Sequence, residues 1–441
     1  MFSLERPASA QTSHMDFESE KKFTWSSALL AFLIAVTFSG YPIYSFLSVA
    51  LNLSEFDSRT ITIPYRAVVL ILSLGLFVDA YLRNRLVISS RTHKLYLIIW
   101  GLYGLRLIYE TFYSGVVLGR PAFEFWAFAM GMTFLSIVGM QQVLSAKTSR
   151  LAVWLIWAMS LATCLLGLIS QRTMLSMAEE RLGGNQILNP ISYGQTAVTL
   201  VLISLYLMLH TRRIGVLTFL LISTVPGFLT IAAAASRSPL ISLGIGMLPL
   251  AIHGVKRGLA WKIIAGSAGL AVITAGGLGY LFATGSTLTS RLFETYDAYR
   301  GGELDRLVLW QAAWQEYSTN IFLGSGIELR AGVHPHNLII ESFLSMGLFG
   351  GALFLAMQFV AARNVFRLIG GMHSAWMPLL FVQFFILSLF SGSFYASMEI
   401  FTIMLLQAVV LAQERSPRAV AAKHRFRPSD AAAVVSKAPP R

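Results

Sequence analysis

A chain of 441 residues that is 55% hydrophobic and only 12% charged, with a mean hydropathy of +0.65, cannot be an ordinary soluble domain, where charge runs at about 25%. The composition is that of a polytopic membrane protein. The net charge of +13 does not signal nucleic acid, because the basic residues are distributed by membrane side, and the lone Cys164 sits in an apolar run, which excludes a disulfide framework or a cysteine metal site.

About 24 mostly polar residues precede the first apolar stretch, which is too long for a signal-peptide core and is expected to remain as a transmembrane helix. Runs of about 20 apolar residues then predict spans near 25–50, 64–82, 95–113, 122–144, 151–170, 190–209, 215–233, 239–253, 263–283, 337–361, 375–393 and 397–413. The expected fold class is an all-α polytopic bundle of about 12 transmembrane helices. Its parts are a cytoplasmic tail at 1–24, nine helices over 25–283, one long outer loop at 284–336, three helices over 337–413 and a basic tail at 414–441. That tail, rich in Ala, Pro, Ser and Arg, is expected to be disordered beside anionic membrane lipids.

Basic residues set the expected orientation. Arg83, Arg85, Arg91, Lys94, Lys147, Arg150, Arg212, Arg213, Lys256, Arg257, Lys262, Arg363 and Arg367 fall in alternate loops. With both tails they make 23 of the 34 basic residues, so that side is read as cytoplasmic and both termini lie there. The remaining eleven are all arginine, which suits guanidinium forks gripping phosphate or carboxylate on the outer face.

The outer loop is much the longest connection, and long ordered loops on a scaffold usually carry function. Within it, 303–318 reads as a helix with Leu307, Trp310, Trp314 and Tyr317 on one face, either at the lipid–water boundary or packed on the bundle. The loop ends in "HPHNLIIESFLSMG", residues 334–347. Pro335 disfavours helix at His334, so the span is expected to begin at His336 or Asn337, with Asn337 able to cap it. Glu341, one turn deeper, is near enough to orient a ring nitrogen.

Elsewhere, "AAAASRSPLISLGIG" puts Arg237 at a helix start, either facing an anion or as a snorkelling interfacial residue. "ILNPISYGQ" marks a tight outer turn, with Arg172 and Arg181 before it and Glu179 or Glu180 a plausible partner for Arg181. Arg106 and Glu110, four apart, can pair on one helix face, while Asp79 and Glu399 look isolated. No metal-ligand spacing and no phosphate-cradling glycine loop is visible, so no metal and no cofactor is expected.

His336-Asn337, nine residues, then Gly347 resembles the signature of the O-antigen ligase and O-antigen polymerase membrane family. "NPISYG" at 189–194, "SRSPLISL" at 236–243 and "DRLVLWQAAW…NIFLGSGI" from 305 to 327 fit in the same order, so the resemblance covers about residues 185–360. It implies a bundle related to membrane glycosyltransferases, in the bacterial inner membrane, with a periplasmic active site and no metal. The implied donor is an undecaprenyl-diphosphate-linked glycan. The acceptor is a sugar or lipid-linked glycan, lipid A–core for a ligase and another carrier-linked unit for a polymerase, and the "HPHN" form leans towards polymerase. The resemblance gives His336 and Arg237 the catalytic roles. Diphosphate or substrate binding is expected of Arg306, Arg291, Arg300, Arg172, Asn337 and His334, of which His334 lies outside the matched motif. The rival classes are a transporter or flippase of lipid-linked glycans, and a non-catalytic assembly partner.

Overall fold

The computed structural model describes residues 24–50, 55–88, 90–115, 118–170, 188–234, 236–259 and 305–415. Arg172, Arg181, Arg291, Arg300, the expected span at 263–283 and most of both tails lie outside the described residues. The elements in chain order are α1 (Trp25–Ala50), α2 (Glu55–Leu82), α3 (Arg91–Phe112), α4 (Ala122–Phe125), which runs through a π-helical stretch (Trp126–Leu135) into α5 (Ser136–Gly139), α6 (Ala146–Ser170), α7 (Pro190–His210), α8 (Ile214–Ala234), α9 (Arg237–Lys256), α10 (Asp305–Thr319), α11 (Leu338–Leu368), α12 (Trp376–Ser391) and α13 (Met398–Glu414). Among the described residues the only β pairing is an isolated bridge between Leu86 and Gln142.

Eight of these segments are long and apolar enough to cross a membrane. Of the four further spans expected, 263–283 lies outside the described residues, and the other three fall short for physical reasons. α3 carries Arg91, Lys94, Arg106 and Glu110, and α12 and α13 have 16 and 17 residues against the roughly 20 that a bilayer core requires. α2 starts nine residues before its expected apolar run, extending through a polar turn.

α7 is the central post. In its spanning window 83% of residues are buried, and it packs on α1, α6, α8, α9 and α12. Hydrocarbon offers no hydrogen bonds, so polar groups on such a helix need protein partners. The Gln195 amide donates to Ser242 Oγ at 3.0 Å, Gln383 on α12 donates to Gln195 O at 2.9 Å, and Trp157 on α6 donates to Ser204 Oγ at 3.0 Å. Asp79, read as isolated, is paired: Arg83 Nε approaches it to 2.6 Å and the Ser26 hydroxyl donates to it at 2.8 Å.

The loops gather at two ends. One holds the arginine-bearing connections at 83–88 and 211–213 together with the turn at 369–375, which is tied by Ser149 Oγ to His373 O at 2.6 Å and by Tyr206 Oη to Met372 O at 2.9 Å. The other holds the segment 320–337 and the turns after α3 and α12. Here Arg106 pairs with Glu110 at 2.6 Å and also donates to Gly324 O at 3.0 Å, so this pair anchors the loop.

α11 is broken at Gly347, whose φ of 66° and ψ of −166° lie in a region essentially reserved for glycine. The segment after α10 fills the break: Leu348 N donates to Ile321 O at 2.7 Å and Ser325 N to Leu344 O at 2.7 Å. A Cβ at Gly347 would come within 2.0 Å of Phe322 O, a backbone atom with no freedom to retreat. Gly347→Ala is therefore expected to destabilise the protein by about 3 kcal/mol, read as a lower unfolding temperature of the purified protein.

Candidate functional site

Helix capping and one left-handed residue place the histidines. Asn337 Oδ1 accepts from Ile339 N at 3.0 Å and Ile340 N at 3.1 Å, so α11 begins at Leu338. Just before the cap, His336 has φ of 54°, a conformation that is uncommon outside glycine and better tolerated by Asn, Asp and His than by most residues. That turn sends the two imidazoles to different places. His336 is exposed, and His334 is buried.

His334 was expected beside the substrate. Instead its Nε2 lies 3.1 Å from Glu328 Oε1 and its Nδ1 3.6 Å from Glu341 Oε1, with the Tyr395 ring 5.0 Å away. The contacts are charge pairs rather than aligned hydrogen bonds. Both carboxylates have other duties: Glu328 Oε2 accepts from Gly119 N and Glu341 Oε1 from Phe394 N, each at 2.8 Å. Three chain segments thus meet on one buried imidazole. Glu341 does lie near a ring nitrogen, but that of His334, as a charge pair at 3.6 Å. Glu328, which drew no notice in the sequence, is the residue that spacing could not reveal.

Arg306 opens α10 and is half-buried. Its Nη1 donates to Phe390 O, and the Asn337 amide donates to Leu389 O at 3.1 Å, so both clip to the carbonyl end of α12. Free carbonyls and the negative end of the helix dipole favour a cation there. α10 itself packs on α11. Trp310 donates to Pro335 O at 2.9 Å, while Trp314 and Tyr317 each stand 5.8 Å from Phe343, and Leu307 stays exposed. Arg237 opens α9 and is close enough to Arg306 for its charge to bear on that guanidinium.

The electrostatics follow from this crowding. Partial desolvation first, then the charges of His334 and Arg306, hold the His336 imidazole below its ordinary value of 6.5. Desolvation alone would lower His334 too, but Glu328 and Glu341 outweigh it and raise the ring to about 9. An activity that needs neutral His336 is present above its pKa and lost below it, so the acid limb of the pH–rate profile should lie below pH 6.5. His334 has the opposite sign. Its ion pair stabilises the fold fully below pH 6.5 and is lost as pH rises through about 9, so unfolding temperatures should decline across that window.

The structure thus brings His336, Arg306, Arg237 and Asn337 to one end of the bundle and turns His334 inward; Arg291, Arg300 and Arg172 lie outside the described residues. Two sequence motifs prove to be packing devices. "NPISYG" gives α7 its Asn189 cap, and a Cβ at Gly194 would come within 2.7 Å of the Pro239 ring of "SRSPLISL", so the two helices meet closely there.

Fold and site together define a multi-pass helical membrane protein with a cationic, histidine-bearing surface at one end. Residues 222–355, less than a third of the chain, match the family model described as O-antigen ligase, so this segment is similar to that family. The match includes Arg237, Arg306, His334, His336, Asn337 and Gly347. No curated protein matches the chain significantly.

Proposed function

We propose that this protein transfers a glycan from an undecaprenyl-diphosphate carrier to an acceptor sugar hydroxyl, at the membrane face that carries His336. The observation supporting this most directly is an exposed imidazole biased to its neutral form by partial desolvation and by the charges of His334 and Arg306, with Arg237 near enough for its charge to bear on Arg306. In the reaction the bond between the anomeric carbon and the diphosphate oxygen breaks, and a bond from the acceptor oxygen to that carbon forms. The electron pair departs with the lipid diphosphate, whose growing charge Arg237 and Arg306 stabilise. His336 accepts the acceptor hydroxyl's proton. Asn337 holds the turn on which His336 stands.

The excess of basic residues in the loops at the opposite end supports a reading in which both termini are cytoplasmic and this face is extracytoplasmic, and the resemblance supports a bacterial inner membrane with this face in the periplasm. No step of this scheme calls for a metal ion, so turnover should persist in EDTA. The deciding experiment supplies purified protein in proteoliposomes with carrier-linked oligosaccharide. A new covalent glycan supports transfer; translocation without a product supports a flippase; neither outcome leaves an assembly partner. Offering lipid A–core or a second carrier-linked unit as acceptor separates ligase from polymerase.

A further inference from the structure

At the end of the bundle opposite His336, α11, α13 and the start of α3 enclose a crevice of about 560 Å³. Four arginines ring it: Arg91 from α3, Arg363 and Arg367 from α11, and Arg415 just past α13. All four are exposed, and none forms an ion pair with a described residue. The charges of Arg363 and Arg415 bear on Arg367, so the cluster is self-repelling as it stands. Arg91 belongs to the first turn of a 22-residue helix capped by Ser90, where free amides and the helix dipole add to the positive field. Deeper in, the walls become apolar, with Leu411 and Phe359, the latter 74% exposed.

The level of these groups in the bilayer follows from helix geometry. Arg363 and Arg367 stand in the last turns of α11, about 22 and 28 Å beyond Leu348, the first residue after the break at Gly347, and past the apolar stretch of the helix, at the depth of headgroup phosphates. An apolar slot under a crown of guanidinium forks, at that depth, complements a molecule with a hydrocarbon tail and a phosphate head. Free phosphate would use the crown but not the slot. The basic loops nearby carry charge on the same side, and these four arginines converge on one cavity.

We propose that this crevice is a binding site for an acidic phospholipid of the adjoining leaflet, its phosphate held by Arg363, Arg367, Arg91 and Arg415 and its acyl chain against Phe359 and Leu411. The site is independent of glycan transfer, since it lies at the other end of α11 and shares no residue with the His336 surface.

The test uses the full-length protein in neutral detergent, titrated with phosphatidylglycerol, phosphatidylcholine or inorganic phosphate. The readouts are the unfolding temperature and the lipid retained in native mass spectra. Phosphatidylglycerol is expected to be retained and to raise the unfolding temperature; the other two should do neither. In R363Q/R367Q, retention should weaken by at least about tenfold, because two charge-assisted contacts are lost. R212Q/R213Q removes the same charge from the neighbouring α7–α8 connection and should bind as the parent does. Equal loss in both double variants would reduce the effect to bulk charge and overturn the site. Unchanged binding in R363Q/R367Q would overturn it as well, and so would stabilisation by inorganic phosphate alone. All four side chains are at the surface, so the variants should fold.

Discussion

His336→Ala should lower glycan transfer by about 10²–10⁴-fold. That range is the usual contribution of a general base placed on a reacting proton. The ring is exposed, so truncating it opens no cavity in the core. Its backbone is the complication, because φ of 54° belongs to a left-handed turn that alanine tolerates poorly. His336→Asn resolves this. Asparagine accepts the same conformation readily and can still hydrogen-bond, but it cannot take up a proton near neutral pH. An asparagine variant that folds normally and fails to transfer assigns the loss to the imidazole. One that retains near-parental rates removes the base from the mechanism and leaves His336 as a turn residue. Initial rates with carrier-linked oligosaccharide, measured beside thermal unfolding, separate these outcomes.

How far the chain discloses this site depends on the kind of force involved. Hydropathy is additive along the sequence, so the helices and their order are legible, and so is the Asn337 cap, whose partners lie two and three residues away. The aromatic stripe of α10 was also legible as a stripe; which surface it covers was not, because Phe343 comes from another helix. The division of labour between the two histidines is illegible for a different reason. It turns on one dihedral angle at His336, and "HPH" reads the same in either conformation. Glu328 is hidden because its partner is chosen by the path of the whole loop, with Gly119 contributing from a segment some 200 residues earlier. Gly347 lies in a mostly apolar stretch, which looks like continuous helix until the backbone of residues 321–325 is laid against it.

These long-range contacts explain why the site needs so much scaffold. A base on a mobile loop would sample many orientations, whereas effective catalysis requires the reacting atoms to be held within a few tenths of an ångström. Here the turn carrying His336 is fixed from below by the His334 pairs, from one side by Trp310 on Pro335 O, and from the other by Asn337 on the end of α12. The same helix end holds Arg306. Cation and imidazole are therefore referenced to one rigid element rather than to each other.

Arg237→Lys should reduce transfer by about 10- to 100-fold although the charge is kept. Lysine offers a single compact ammonium where arginine presents a planar fork that can bind two oxygens at once, and a lost charge-assisted hydrogen bond is worth about 1.5–3 kcal/mol. If Arg237 acts on charge that develops as the diphosphate leaves, the loss falls mainly on kcat; uniform binding of the donor would raise KM instead. Arg306→Lys should be impaired too, partly through its lost contact with Phe390 O. The double variant is the more informative. Two arginines that hold one leaving group interact through it, so their losses should not add, and the coupling should exceed about 0.5 kcal/mol. Strict additivity would mean that they serve different ligands. A fully active Arg237→Lys enzyme would reduce that position to plain charge, and the departing diphosphate would then have to find its fork elsewhere.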